Sequence, residues 1–445
     1  MLVGSSALGR DAGSVGGRPL RLAGPNAVAA ALLLYLLFGW PLLYMGYAYG
    51  VGPAIPFTWL AVLLEVLVLR QVLARPGAGR AEFDMGVLGA ALLYAWVTSV
   101  ILLARDVRIF APFVYTDFLT KHVVLAGALL LVGIRFPRAM AALRSPWGRR
   151  SAMACAGCLG LGVVLASWLN PGSVQLPWYF LGIPTFNAEG TQVNYLFVSD
   201  FLAIAALLVL SQVRSFWIRA LIAVAGGVLL FWTQSRAALA AFSVVAVVIL
   251  LVHWFRLRLW LRLLAAAVLL PLLFVLFTQL RPVISEVGPV GELQRFDVTQ
   301  LQSDPSLQSR EEVAAQGMFY LRKHWVLGHF MGEVLEGRQG NYIHNWLSFW
   351  DEYGLGPFVI FILLYAAALF RITSAYASEP NRPELEFLFG LSWMVGISIV
   401  VARSYGSQQV WLVLTAVPAT LAATRRKARL APAQAAPAKD AEVAT

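Results

Sequence analysis

Charged residues are scarce in this sequence of 445 residues. Asp, Glu, Lys and Arg make up 13% of it, whereas 59% is hydrophobic and the mean hydropathy is +0.72. A soluble domain carries about twice this share of charge and does not hold many apolar segments of membrane-spanning length. The composition therefore excludes a soluble globular enzyme and predicts an all-α polytopic membrane protein.

Residues that form disulfides or bind metal ions are also few. The two cysteines, Cys155 and Cys158, lie three residues apart inside an apolar segment, where thiols pack as small core residues more often than they bind metal. The polar segment 280–345 has carboxylates but no D-x-D motif of the kind that gathers Mg²⁺ in metal-dependent transferases. We expect no disulfide, no metal and no cofactor.

Long apolar segments are what the sequence has in abundance. A helix of about 17–25 apolar residues spans a bilayer, and about twelve such segments are present. They lie near 26–47, 56–74, 85–104, 112–134, 151–169, 193–212, 216–233, 236–254, 259–279, 346–370, 385–402 and 408–424.

Basic residues predict the orientation of these spans, because Lys and Arg concentrate in cytoplasmic loops. Counted from a cytoplasmic N-terminus, 23 of the 34 Lys and Arg fall on the inner side. Residues 1–25 and the Ala/Pro-rich residues 425–445 are then cytoplasmic tails, and we expect the second to be disordered. This topology also accounts for the net charge of +11, so no nucleic-acid partner is expected.

One connection is far longer than the others. Residues 280–345 separate spans 1–9 (26–279) from spans 10–12 (346–424) and lie on the outer face. The stretch "SREEVAAQGMFYLRKHW" has helical spacing, and Ser309 followed by Glu312 matches a capping box at its start. Long loops in compact proteins are functional or disordered, and the amphipathic pattern favours function.

Three polar side chains stand at predicted helix starts on this outer side. They are Arg236 in "TQSRA", Arg310 in "QSREE" and His344 in "YIHNW". Helix N-termini attract anions, and the planar guanidinium group matches phosphate oxygens. A neutral histidine accepts a proton near neutral pH. Together these groups predict group transfer from a phosphorylated lipid, with His344 as base and the arginines on the leaving pyrophosphate.

Other interpretations of the same residues stay open at this point. An arginine at a helix end also extends to lipid headgroups, Arg310 has Glu311 beside it, and a histidine at a helix start also serves as a cap. The pair Asp117 and Lys121, four residues apart within one predicted span, is either a buried structural ion pair or a second phosphate contact. We do not include it in the site.

Three segments resemble the O-antigen ligase family. "GNYIHNWLSFWDEYGLGP" is similar to its His-Asn…Leu…Glu-x-Gly-x-x-Gly signature, "TQSRAALAAF" to its Ser-Arg segment, and "SREEVAAQGMFYLRKHWVLGH" to its loop helix, which leads to a His-Pro-x-x-Gly-x-Gly turn. The chain departs from these motifs at Trp325 for the proline, Phe330 for the second glycine of the turn, and Pro357 for the last glycine of the signature.

The resemblance implies a glycosyltransferase of the bacterial inner membrane with a periplasmic active site. Members of the family take a glycan from undecaprenyl pyrophosphate, and ligases pass it to a sugar hydroxyl of lipid A–core. The family's essential histidine matches His344, and its phosphate-binding arginines match Arg236 and Arg310. Membrane lipids and these two substrates are the partners implied, and a single displacement inverts the anomeric centre.

Rival functions share the same donor. O-antigen polymerases and bacterial O-oligosaccharyltransferases carry the same signature. We favour a ligase because the chain is short and ends soon after its last span. A lipid-linked glycan transporter is a more remote alternative, because it requires polar groups along a path through many helices, whereas here they gather on the outer face.

Overall fold

The computed structural model describes residues 25–48, 66, 85–169, 195–233, 235–259, 262, 305–337, 343, 345–401 and 408–435. Within these residues the regular structure is helical and contains no strand, which confirms the all-α prediction. The helices are α1 (Pro25–Leu34), π1 (Tyr35–Gly39), α2 (Trp40–Ala48), α3 (Met85–Leu103), α4 (Arg105–Phe110), α5 (Pro112–Leu119), π2 (Thr120–Leu125), α6 (Ala126–Ile134), α7 (Phe136–Leu143), α8 (Pro146–Leu169), α9 (Tyr195–Gln212), α10 (Phe216–Trp232), α11 (Arg236–Trp254), α12 (Pro305–Lys323), α13 (Gly332–Leu335), α14 (Leu347–Tyr353), α15 (Leu355–Ser378), α16 (Pro383–Val401) and α17 (Gln409–Ala435).

Six helical segments among the described residues are long and apolar enough to cross a membrane, so the chain is a multi-pass membrane protein. They are Asn26–Leu43, Met85–Leu103, Val114–Ile134, Arg236–Trp254, Leu355–Ser378 and Pro383–Val401. Two shorter apolar helices, Leu196–Gln212 and Phe216–Phe231, accompany them. The predicted spans 56–74 and 259–279 lie almost wholly outside the described residues, so a total of twelve stays a prediction.

Helix α9 lies at the centre of the bundle. Its sequence is apolar on every side, which is typical of a helix without a solvent or lipid face, and most of its side chains are buried. It packs against α8, α10, α11 and α16. Helices α6 and α17 also pack together in the core, where the small residues of α6 allow the two backbones to approach closely.

Buried ion pairs join helices at one end of the bundle. Glu386 on α16 accepts a hydrogen bond from Arg219 of α10 at 2.5 Å and contacts Nε2 of His253 of α11 at 2.7 Å. The Glu386 side chain is 1% exposed. Buried charges persist in an apolar bundle only when they are paired, so this group holds three helices in one arrangement.

Three predicted boundaries are wrong, each for a local reason. The span expected over 346–370 is broken at Gly354, whose φ of 85° ends α14 before α15 begins. The loop helix begins at Pro305, so Ser309 lies inside it and forms no N-terminal capping box; proline is favoured in the first helical turn. Helix α17 runs to Ala435, because the Ala, Arg and Lys residues after Thr424 favour helix over the disorder that was expected from 425.

Candidate active site

Arg236 is the first residue of α11, as the sequence predicted. The turn that precedes it is short, since α10 ends at Trp232. Ser199 of α9 donates a hydrogen bond to Oγ1 of Thr233 at 2.7 Å, and Thr233 donates to the carbonyl oxygen of Leu230 at 2.8 Å. The start of α11 is therefore fixed against the buried helix α9, and Arg236 is half-buried there.

Arg310 lies on α12, within the long loop. Seven residues make almost two helical turns, so positions 310 and 317 share one side of this helix. A Cβ at Gly317 would come within 2.3 Å of Cγ1 of Ile343, so the glycine lets the segment before α14 lie directly against α12. Ile343 is 1% exposed. The structure thus brings the side of α12 that carries position 310 against the residue that precedes His344.

His344 itself lies outside the described residues, but both of its neighbours are placed. Asn345 lies just before the start of α14, where its Oδ1 accepts the backbone N–H of Leu347 at 2.9 Å and its carbonyl oxygen accepts the Ser348 hydroxyl at 2.7 Å. The asparagine of the His-Asn pair therefore has a structural role. It fixes the chain direction immediately after position 344.

Two of the family-like motifs cross each other in direct backbone contact. One is the turn after α12, which contains Gly328, and the other is the signature segment that contains Gly354. The backbone N–H of Leu355 donates to the carbonyl oxygen of Val326 at 3.1 Å. Gly328 and Gly354 both have positive φ, at 75° and 85°. A Cβ on Gly354 would lie 2.3 Å from the Val326 oxygen, and one on Gly328 would lie 2.5 Å from the Gly354 nitrogen. Only glycine fits at both positions.

The side chain of Glu352 stabilises the same crossing. Its Oε2 accepts the backbone N–H of Met331 at 2.6 Å, and the residue is 1% exposed. The backbone N–H of His329 donates to the carbonyl oxygen of Asp351 at 2.6 Å. The glutamate of the Glu-x-Gly signature thus anchors the turn that follows α12.

Two of the residues at which the chain departs from the family motifs lie at this crossing and make contacts there. Trp325 stands where the family has proline, and its carbonyl oxygen accepts the indole N–H of Trp350 at 2.6 Å. Phe330 stands where the family has a second glycine, and its ring packs on Phe118 and Tyr353 with centroids 5.3 and 5.9 Å away. The turn therefore keeps the first motif glycine, Gly328, in the left-handed conformation.

We expect Gly354→Ala to destabilise the crossing and Gly356→Ala to leave it intact. The first change forces a positive φ and a backbone clash, which costs at least about 1–3 kcal/mol, whereas a Cβ at Gly356 has nothing within 4 Å. Thermal unfolding of both variants in detergent checks this expectation. Equal unfolding temperatures for the two variants would contradict the described contact.

A group of titratable side chains surrounds the crossing. The rings of His324 and His329 stack with centroids 4.5 Å apart. Burial and the neighbouring His324 lower the pKa of His329. Burial, together with the nearby Glu333, raises the pKa of Asp351 to about 7. Oδ1 of Asp351 is buried and has no hydrogen-bond partner among the described residues.

Asp351 predicts a pH dependence of stability. Its folded pKa is raised, so between about pH 4 and about pH 7 the folded state binds more protons than the unfolded state. The free energy of unfolding therefore falls as pH rises through this window. Melting temperatures at pH 5 and pH 8 should differ less for Asp351→Asn than for the wild type. Asp106→Asn, at an exposed position on α4, should keep the wild-type difference; an unchanged difference in Asp351→Asn would contradict the prediction.

The described contacts connect the elements that carry or adjoin two of the three predicted site residues, but not the third. The described contacts connect α12 with α14, whereas α11 packs chiefly on α9, α10 and α16. Convergence of Arg236, Arg310 and His344 on one ligand thus stays a prediction. Of the pair Asp117 and Lys121, only the Lys121 side chain is described, and it is half-buried in π2. Within the described residues, no three His, Cys, Asp or Glu side chains are placed to hold a metal ion.

Comparison with protein families identifies the region around these residues. Residues 220–362 match the family model described as O-antigen ligase. The resemblance to the O-antigen ligase family is confirmed. The match includes all three predicted site residues and both crossing motifs, and it indicates a glycosyltransferase of the O-antigen ligase and polymerase type. Among curated proteins, no sequence matches the chain.

The sequence did not predict the crossing of the two motifs or the burial of Oδ1 of Asp351. The signal that predicts the crossing is the presence of glycine in both motifs, since paired positive-φ glycines are frequent where two backbone segments touch. The burial of Asp351 left no such signal. The turn that contains Trp325 and His329 contacts Trp350 and the backbone of Asp351, and it is more than 20 residues away in the sequence.

Proposed function

We propose that this protein is an O-antigen ligase. It transfers a glycan from undecaprenyl pyrophosphate to a sugar hydroxyl of lipid A–core at the periplasmic face of the inner membrane. The observation that carries this proposal is the family match over residues 220–362, which contains Arg236, Arg310 and His344. The contact between Gly317 and Ile343 supports it, because it brings the helix that carries Arg310 against the segment that carries His344.

The proposed reaction is a single displacement. His344 accepts the proton of the acceptor hydroxyl, and the acceptor oxygen forms a bond to the anomeric carbon of the glycan. The bond between that carbon and the pyrophosphate oxygen breaks, and the anomeric configuration inverts. Arg236 and Arg310 stabilise the negative charge that develops on the departing pyrophosphate, in the role that a divalent cation has in metal-dependent transferases.

The location of the site at a helix start on the membrane surface suits this donor. The polyprenyl tail of the donor stays in the bilayer, while its pyrophosphate and glycan lie outside. Arg236 at the start of a membrane-spanning helix places a permanent cation at headgroup height. Helix α15, also a candidate membrane span, begins at Leu355, directly after the crossing motifs.

A transfer assay tests the proposal. Purified full-length protein is incubated in EDTA with undecaprenyl-pyrophosphate glycan, either alone or together with rough lipopolysaccharide. We expect glycan on lipid A–core in the complete mixture and no chain growth with donor alone. Chain growth on the donor would instead assign a polymerase, and a requirement for added Mg²⁺ would contradict the metal-independent step.

A further inference from the structure

A cationic groove lies at the opposite end of the bundle from Arg236. It has a volume of about 430 Å³ and opens where α8 begins, α9 ends and α10 begins. Helix α10 runs from this groove to the turn before Arg236, a length of about 25 Å at 1.5 Å per residue. The groove and Arg236 therefore lie at opposite ends of α10. Its lining includes Arg149, Arg150, Met153, Arg214 and Ile218.

Three arginines give the groove its charge. Arg149 and Arg150 lie in the first turns of α8, and Arg214 lies in the connection between α9 and α10. Among the described residues, no carboxylate lines the groove, and none forms an ion pair with these three side chains. The groove therefore gathers positive charge that the described part of the protein does not neutralise.

Other arginines at the same end of the bundle are paired. Arg144 bonds to Glu384, and Arg219 bonds to Glu386 at 2.5 Å. These carboxylates lie near the groove but pair with other arginines. The absence of a described carboxylate from the groove is therefore a feature of that surface and not of the whole end of the bundle. A single arginine at a helix end extends to any headgroup, whereas three arginines around one concave surface form a site for one anion.

The walls of the groove are apolar on their membrane side. Met153 on α8 is 46% exposed and Ile218 on α10 is 50% exposed. Further along the same two helices, Leu161, Leu165, Leu221 and Val228 are also exposed. An anion that carries hydrocarbon chains has apolar surface to contact directly beside the arginines, and a free ion does not use that surface.

We propose that this groove binds the phosphate group of an anionic phospholipid, with an acyl chain against Met153 and Ile218. A phospholipid and a free phosphate ion share the oxyanion that the guanidinium groups bind. Only the lipid also has hydrocarbon chains that contact the apolar walls, so these walls favour the lipid. Basic pockets between membrane helices bind lipid headgroups in the same way on the cytoplasmic face. The site is separate from the proposed glycan transfer, because it lies at the other end of the bundle from Arg236.

Native mass spectrometry of the full-length protein in detergent tests this site. Dioleoyl phosphatidylglycerol is titrated against the wild type and against the triple variant Arg149→Gln, Arg150→Gln and Arg214→Gln. A control triple variant with the same charge change is Arg258→Gln, Arg425→Gln and Arg426→Gln, at exposed positions outside the groove. We expect the groove variant to bind the lipid at least about tenfold more weakly than the control.

Two further arms separate the possible ligands. Phosphatidylcholine, titrated in the same way, should bind the wild type at least about tenfold more weakly than phosphatidylglycerol, since it has no net charge. Inorganic phosphate at equal concentration should leave the bound lipid in place. Displacement by inorganic phosphate, equal binding of phosphatidylcholine, or equal affinity of the two triple variants would each overturn the proposal. Arg150→Gln alone, a single exposed change, should already weaken binding.

Discussion

His344→Ala should reduce the rate of glycan transfer by about 10²–10⁴-fold, the usual contribution of a positioned general base. The acceptor hydroxyl is a weak nucleophile until its proton is removed, and His344 is the residue that the family resemblance and the sequence assign to that step. The initial rate of transfer to lipid A–core, measured with purified protein at saturating donor, gives the effect directly.

The matched control for this change is His324→Ala. His324 also lies in the long connection between α11 and α14, and its ring stacks on His329 beside the crossing motifs. We expect the control to keep most of the wild-type rate, so that the loss at position 344 is specific. A wild-type rate in His344→Ala would remove the proposed base and leave that residue with a capping or anchoring role next to Asn345.

Histidine as a base also predicts the pH profile of the wild type. The logarithm of the rate should rise with pH up to the pKa of the base and then level off, because only the neutral imidazole accepts the proton. A profile without such a rise, in a protein that still needs His344, would reassign the side chain to orientation of the acceptor.

Arg236→Ala and Arg310→Ala should each lower transfer by about 10²–10³-fold, the usual effect of removing one donor to a developing anion. The charge on the pyrophosphate grows as its bond to the glycan breaks, so the loss should fall mainly on kcat. Arg→Lys at either position keeps the charge but removes the planar fork, and we expect partial activity.

Arg322→Ala is the control for the second arginine. Arg322 lies on the same helix as Arg310, near its end, and is exposed. It should keep the wild-type rate. A wild-type rate in Arg236→Ala would show that the helix start next to α9 does not contact the donor, and the proposed site would then lose its membrane-surface cation.

Much of the fold follows from the sequence, because membrane helices are long apolar segments that satisfy their own backbone hydrogen bonds. The start of α11 at Arg236 and the bounds of α3 were predicted in this way. The break at Gly354 was not, because the apolar pattern continues across it. The conformation of that glycine depends on Val326, a residue far away in the sequence.

Tertiary partners are the part that a single sequence does not specify. Glu386 pairs with Arg219 and His253, which lie on two other helices, and apolar periodicity does not show which helices meet. The same holds for the site. The residue types at 236, 310 and 344 indicated phosphate and proton chemistry, but the contact of Gly317 with Ile343 required the structure.

The proposed transfer requires Arg236, Arg310 and His344 to converge on one lipid-linked pyrophosphate. A cryo-electron-microscopy structure of the full-length protein with bound undecaprenyl-pyrophosphate glycan measures this most directly. We expect both guanidinium groups to lie within about 4 Å of the pyrophosphate oxygens, the usual limit for an ion pair, and the imidazole to face the anomeric carbon. A donor bound elsewhere, with Arg236 directed to lipid headgroups, would contradict it.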